Sequence, residues 1–279
     1  MSAVLNHQAP ARDQYILGHT QGEYERLIRQ AEVWERATRQ ALRQVGLGAG
    51  DRALDVGCGP CDAMRLMAEC VGPEGQVTGI DINGELGRHA IDRLNQTGPA
   101  IHNFVHGDIS QMTRIEGGPF DLVFARLLLF HLRDPVATLR LLWRSVRMGG
   151  VLMIMDYDTT VMRSEPQIPA VERAMRLCND TFRRNGRDIE VGVRMPGMFM
   201  EAGVGVPDAC VVSSVMLPAH PSISMMRNLL TSLRPQIVQH RLSEVNALDR
   251  LDGELQLAAG SDSFMRWPDL IATWKRRTR

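Results

Sequence analysis

No stretch of these 279 residues approaches the roughly 20 consecutive apolar positions that a bilayer span requires. The opening residues, MSAVLNHQAPARDQ, lack the basic-then-apolar order of a secretory leader, so a cytoplasmic setting is expected. Net charge is missing as well, because 32 basic side chains balance 32 acidic ones. Proteins that hold nucleic acid by neutralising phosphates carry a basic surplus, so neither nucleic acid nor a membrane is the expected partner. Lysine is nearly absent: Lys275 stands alone and every other basic residue counted is arginine, which reads as coding bias. Cysteine is sparse and scattered, at Cys58, Cys61, Cys70, Cys178 and Cys210. That odd set argues against a disulfide framework. Cys58 and Cys61 spell C-x-x-C, but no second such pair and no histidine pair at zinc spacing follows, so no metal site is expected.

What is present is the balance of a globular protein, 44% apolar and 23% charged. Apolar residues at Leu27, Ala31, Trp34, Ala41 and Val45 predict an amphipathic helix over 21–45, stopped by Gly46. From residue 51 the pattern changes. Short apolar runs at 53–56, 77–80, 101–105, 122–125 and 151–155 alternate with helical stretches near 62–71, 84–95 and 134–147. Strands that are apolar throughout, alternating with helices, predict a parallel sheet covered on both faces. Gly149 and Gly150 predict a tight turn into the fifth run. Beyond it the pattern predicts helices near 168–184 and 194–203, a strand at 209–217, two helices within 222–258 and a last strand at 270–274. The division expected is a helical lead-in or lid over 1–50 and an α/β domain over 51–279, with a helical insertion at 220–260.

The chemistry concentrates at Asp55-Val56-Gly57-Cys58-Gly59-Pro60-Cys61-Asp62, where the first strand turns into a helix. Glycines there let a backbone turn pass close to a ligand, and parallel sheets bind ligands at the carboxyl ends of their strands. The second strand ends at Asp81, an acid suited to the two hydroxyls of a ribose. The third ends in Gly107-Asp108-Ile109, and the fourth runs Phe120 to Arg126. A dinucleotide site wants G-x-G-x-x-G, but here the third glycine position is Asp62. A carboxylate at a helix start repels a pyrophosphate and tolerates a cationic, phosphate-free ligand.

Taken in this order over 51–158, the motifs resemble the class I S-adenosylmethionine-dependent methyltransferases. The segments 15–30 and 192–203 also resemble parts of bacterial small-molecule methyltransferases. The resemblance implies a doubly wound, seven-stranded, mostly parallel α/β sheet of Rossmann-like type, with S-adenosyl-L-methionine as cofactor. It places Asp55, Gly57 and Gly59 under the methionine part and Asp81 on the ribose. Ile82 falls on the adenine, Asp108 and Ile109 at its edge. It further sets Arg126 along the methionine end, with Tyr15 and Gln30 closing over the cofactor. The family pattern is acid-x-Gly-x-Gly-x-Gly; Cys61 replaces its last glycine and is small enough for the turn.

Methyl transfer from a sulfonium is an in-line displacement with a neutral leaving group, so alignment is the protein's main task. A base matters only when the acceptor keeps its proton. His131, after the fourth strand, is a candidate base or a packing residue. Tyr157 and Asp158, ending the fifth strand, are candidates for substrate contact, or a strand end with a helix cap at Asp158. His19 and Tyr15 fit a lid; His220 and His240 are not expected to be catalytic. Met225, Met226, Leu229, Leu230, Leu233 and Ile237 form either a helix packed on the sheet or an adaptable lid over an apolar acceptor. Arg227, Arg234 and Arg241 accompany them as a solvated face; turned inward, they would meet an anionic acceptor. The function expected is metal-free methylation of a small molecule of secondary metabolism, by a chain compatible with a homodimer. The alternative is a protein of this fold that binds the cofactor and catalyses a cyclisation instead.

Overall fold

The computed structural model describes residues 21–278. Helix α1 (Gln21–Gln44) leads into β1 (Arg52–Val56). Then α2 (Asp62–Val71), β2 (Gln76–Asp81), α3 (Gly84–Thr97) and β3 (Ile101–His106) alternate. They are followed by β4 (Phe120–Arg126), α4 (Pro135–Ser145) and β5 (Val146–Asp158). Next come β6 (Arg163–Glu165), α5 (Pro169–Arg184), α6 (Val191–Glu201), β7 (Ala209–Ser213) and β8 (Met216–Pro218). The helices α7 (Ala219–Gln239) and α8 (Val245–Ala258) precede β9 (Phe264–Arg266) and β10 (Asp269–Arg276).

Seven strands form one sheet in the order β3-β2-β1-β4-β5-β10-β7. The five from β1 to β5 are mutually parallel and β10 is antiparallel to both its neighbours. Strands β1, β2, β4 and the second half of β5 are buried on both faces, which is why each is a continuous apolar run. The chain leaves β1 toward β2 and β3 on one side and reaches β4 and β5 on the other. The direction of winding therefore reverses beside β1, and a crevice opens at its carboxyl end.

Packing fixes how the β1–α2 turn sits. A Cβ on Gly79 of β2 would lie 2.5 Å from Met64 Sδ and 2.8 Å from Cys58 Sγ, so glycine is what lets α2 and the turn settle on the sheet. Helix α1 is held against α2 by a four-member ion network. Glu35 accepts from Arg39 at 3.0 Å and from Arg65 at 2.7 Å, and Glu69 pairs with both arginines. Exposed pairs are worth only a few tenths of a kcal/mol each. Burial of Trp34 and Leu42 on the inner face of α1 carries more of the docking, at about 1.5–3 kcal/mol per large apolar side chain.

Three features differ from the sequence pattern. The stretch 209–217 is not one strand: it breaks after Ser213, and β8 joins β6 and β9 in a separate three-stranded sheet. Gly149, at φ +80°, lies within β5 where its pairing with β4 shifts register, rather than in a turn before the strand. Helix α6 begins three residues earlier than the pattern suggests. Among the described residues no helix is long and apolar enough to cross a membrane.

Candidate active site

A cavity of about 580 Å³ opens at the carboxyl ends of β1, β2, β4 and β5. One half is walled by the β1–α2 turn and the ends of β2 and β3, the other by the loops after β4 and β5, by α1 and by α7.

Backbone hydrogen bonds tie the turn to the end of β2 and close it on itself. Gly57 N and Cys58 N donate to Ile80 O at 2.7 and 3.1 Å, and Cys61 N donates to Cys58 O at 2.8 Å. Gly57, Gly59 and Cys61 all take positive φ. At φ 62° and ψ 24°, Cys61 adopts the left-handed conformation that a glycine would take, at a cost of roughly 1–2 kcal/mol. Its side chain is buried, with Sγ 3.7 Å from Cys58 Sγ, and both thiols are free. Among the described residues no cluster of three or more His, Cys, Asp or Glu side chains could hold a metal ion.

Asp81 organises this half. One carboxylate oxygen accepts from Gly59 N and the other from Asn83 N, both at 2.8 Å. The end of β2 thereby holds the glycine turn and the start of α3 together. Asp108 is fixed by Ser110, whose N and Oγ donate to it at 2.9 and 2.7 Å. Ile82 lies open at the rim, 43% exposed, while Ile109 is buried in the wall. Asp55 is not itself a wall residue: it lies beneath the turn, and burial, with Asp62 and Asp81 adding to it and Arg126 opposing, pushes its carboxyl up to about 8.

Asp62, the first residue of α2, is not the bare carboxylate its position suggests. Arg126 Nη2 pairs with it at 2.5 Å and Arg126 Nη1 donates to Thr38 Oγ1 at 2.9 Å. The case against a bound phosphate therefore rests less on Asp62 than on Asp81, Glu85 and Asp108, which share this half of the wall. A cationic, phosphate-free nucleoside suits such a surface.

The second half is mostly apolar, with Phe130, Phe182, Met162, Met225, Met226, Leu229 and Trp267 in its wall. Phe130 and His131 come from a short 3-10 turn, Leu129–His131. Asp156 pins that turn, accepting from Phe130 N at 3.1 Å and from Tyr157 N at 2.9 Å. Asp156 is fully buried, and burial pushes its carboxyl up to about 7 against those backbone donors. It is a wall residue that the sequence pattern did not single out. The signal available was its place as the first charge after the apolar run of β5.

His131 lies in the wall, stacked edge-on against Phe130 with ring centroids 5.3 Å apart. Burial, then Arg187 and Arg26, drive its pKa down to about 3. At neutral pH it is an uncharged and very weak base. Tyr157 also lies in the wall, and its Oη accepts from Trp34 Nε1 at 2.6 Å and Gln30 Nε2 at 2.8 Å. Burial pushes the phenol up to about 12, which the two donors only partly oppose. Asp158 corrects the expectation of substrate contact. It is not in the wall, and its carboxylate accepts from Thr160 N and Oγ1 at 2.9 and 2.6 Å, closing a local turn.

Gln30 lines the cavity, held by Arg26 Nη1 at 2.5 Å. Tyr15 and His19 lie outside the described residues; within them Tyr24 is the α1 tyrosine in the wall. His220 and His240 are not in the wall. Helix α7 satisfies both readings of its sequence, in different turns. Met225, Met226 and Leu229 cover the cavity, while Leu233 and Ile237 are fully buried in the core. Its arginines do not turn inward: Arg227 makes a two-pronged pair with Asp252 at 2.7 and 2.8 Å, and Arg234 meets Asp249 at 2.6 Å. These pairs tie α7 to α8.

Known proteins with this arrangement are numerous. A family defined by its methyltransferase domain matches residues 47–190, just over half of the chain. An uncharacterized protein of a Streptomyces fradiae transposon is 30% identical over 64% of this chain and 51% of its own length. A demethylmenaquinone methyltransferase of Listeria monocytogenes is 31% identical over 49% of this chain and 53% of its own. The chain thus spans about half the length of these curated relatives. Among solved structures, a candidate methyltransferase of Bacillus halodurans superposes with a TM-score of 0.59 at 15% identity, over 87% of this chain and 99% of that one. With the strand order, the glycine turn and the acidic strand ends already in place, the chain belongs to the class I S-adenosylmethionine-dependent methyltransferases.

Proposed function

We propose that this protein transfers a methyl group from S-adenosylmethionine to a small, largely apolar molecule. The observation that carries this is one continuous cavity with two unlike halves: acidic at the sheet's switch point, apolar beneath α7. In this reading Asp81 takes the ribose hydroxyls, and Ile82, Asp108 and Ile109 surround the adenine. Gly57 and Gly59 offer close backbone approach at the methionine part. Arg126, committed to Asp62 and Thr38, braces the start of α2 from the far side of the crevice. Asp55, beneath the turn, ionises more readily once a cationic group sits above it.

The cofactor supplies an electrophilic methyl on a sulfonium whose departure leaves a neutral thioether. The chain's own residues align and enclose. Phe130, Phe182 and the methionines of α7 exclude water from the acceptor half. His131 acts as an uncharged wall group. The Listeria relative's name supplies a first acceptor to assay, demethylmenaquinone.

Incubation with methyl-labelled cofactor tests the proposal. Label in the acceptor with matching S-adenosylhomocysteine supports it. Turnover of the acceptor without label transfer overturns it in favour of a cyclisation or another non-methylating step.

A further inference from the structure

Tyr157 Oη has two lone pairs and one proton. The groups behind it use up the lone pairs. Trp34 Nε1 can only donate. Gln30 could present either end of its amide, but Arg26 also can only donate and lies 2.5 Å from Gln30 Oε1. The amide oxygen is therefore turned to Arg26, and its NH₂ to Tyr157. Both lone pairs of Oη are taken, and among the described residues no acceptor receives the phenolic proton. That proton belongs to a side chain in the cavity wall. The chain from the Arg26 guanidinium through Gln30 to Tyr157 runs donor to acceptor in one direction, so each bond polarises the next. Its open end is a strengthened O–H donor on a wall side chain that also feels the positive charge of Arg26 and Arg126, which favours an electron-rich partner there.

Building on the methyl-transfer reading, we propose that Tyr157 sets acceptor specificity. It selects an apolar, unsaturated molecule that offers it an oxygen lone pair, as a phenolate or a conjugated carbonyl. Gln30, Arg26 and Trp34 are positioning residues that act through it. A phenol bound in this way loses its proton to solvent on binding, and the oxyanion meets the Tyr157 hydroxyl.

Three probes test this on the protein saturated with S-adenosylhomocysteine: para-nitrophenol, para-nitrobenzaldehyde and para-nitroanisole. The first reports its own ionisation by visible absorbance. The wild type should bind para-nitrophenol as the phenolate, with its ionisation midpoint below that of the free probe. Tyr157→Phe should weaken para-nitrophenol about tenfold, the size of one charge-assisted hydrogen bond. Para-nitroanisole and S-adenosylhomocysteine should change less than about threefold. If the aldehyde loses as much as the phenol, the hydroxyl recognises the carbonyl as well as the phenolate; if only the phenol loses, it recognises the phenolate alone. Gln30→Leu, which keeps the hydroxyl but cuts it from Arg26, should raise the midpoint of the bound phenol toward the free value, and this reading survives even if Tyr157→Phe does not fold. Equal binding of the phenol and aldehyde by wild type and Tyr157→Phe, or no binding of either to a protein that binds S-adenosylhomocysteine, overturns the inference alone. Failure of the wild type to bind S-adenosylhomocysteine overturns the methyl-transfer reading beneath it.

Discussion

Asp81 is the residue at which the role of the site can be separated from the role of the fold. Its carboxylate holds Gly59 N and Asn83 N at 2.8 Å, so Asp81→Ala removes a brace of the glycine turn whatever ligand binds. In the proposed complex it also accepts two ribose hydroxyls. Hydrogen bonds to a charged group contribute about 1.5–3 kcal/mol each, and a partly exposed site argues for the low end. Two such bonds give about 3 kcal/mol, a loss of over a hundredfold in affinity. Calorimetry on wild type and Asp81→Ala, with S-adenosylhomocysteine and with its analogue lacking both ribose hydroxyls, completes a double-mutant cycle. The substitution should cost S-adenosylhomocysteine over a hundredfold and cost the analogue only the smaller penalty of a loosened turn. An equal loss for both ligands would show that Asp81 acts through the turn alone. No loss for either would refute both roles.

Three further outcomes follow from groups whose environments are already described. Asp55 and Asp156 have pKa values raised to about 8 and about 7, so the native state holds protons that the unfolded chain has released. Their stabilisation is complete below about pH 4 and is lost as pH rises through those values; the depressed His131 opposes this only below its unfolded value, about 6.5. Stability should therefore fall between about pH 6.5 and 8, by about 2 kcal/mol from Asp55, and denaturant titrations on Asp55→Asn should show most of that slope gone. His131→Ala should reduce turnover less than about tenfold, because an imidazole with a pKa near 3 is a weak base; a loss of about 10²-fold or more would restore it as the catalytic base. Cys61→Gly should leave thermal stability within about 1 kcal/mol of wild type, relief of left-handed strain offsetting lost burial, whereas Cys61→Val should cost more than about 2 kcal/mol. Equal stability of the two variants would mean that the left-handed geometry at 61 carries no cost.

The parts of the site that the sequence revealed are those that local rules decide. Strands buried on both faces must be apolar throughout, so β1, β2 and β4 announce themselves, and a turn with φ near +50 to +72° at its glycines does so as well. The three-residue strands β6, β8 and β9 are too short for any periodicity to show, and their pairing is decided by segments about fifty to a hundred residues apart. The same distinction separates Asp156 from Asp158. Each is an acid at the end of one strand, and no local pattern ranks them. What ranks them is Phe130 N, arriving from the loop after β4 to take Asp156, while Thr160 N takes Asp158 two residues on. Tyr157 repeats the lesson in its protonation: as a residue it could be base, donor or packing. Two nitrogens from α1, over 120 residues earlier, occupy its lone pairs, and a buried arginine behind them dictates which end of Gln30 it meets. Chemistry at this site is therefore set by the direction of hydrogen bonds between distant segments. A sequence names the donors and acceptors, and the fold decides which of them face each other.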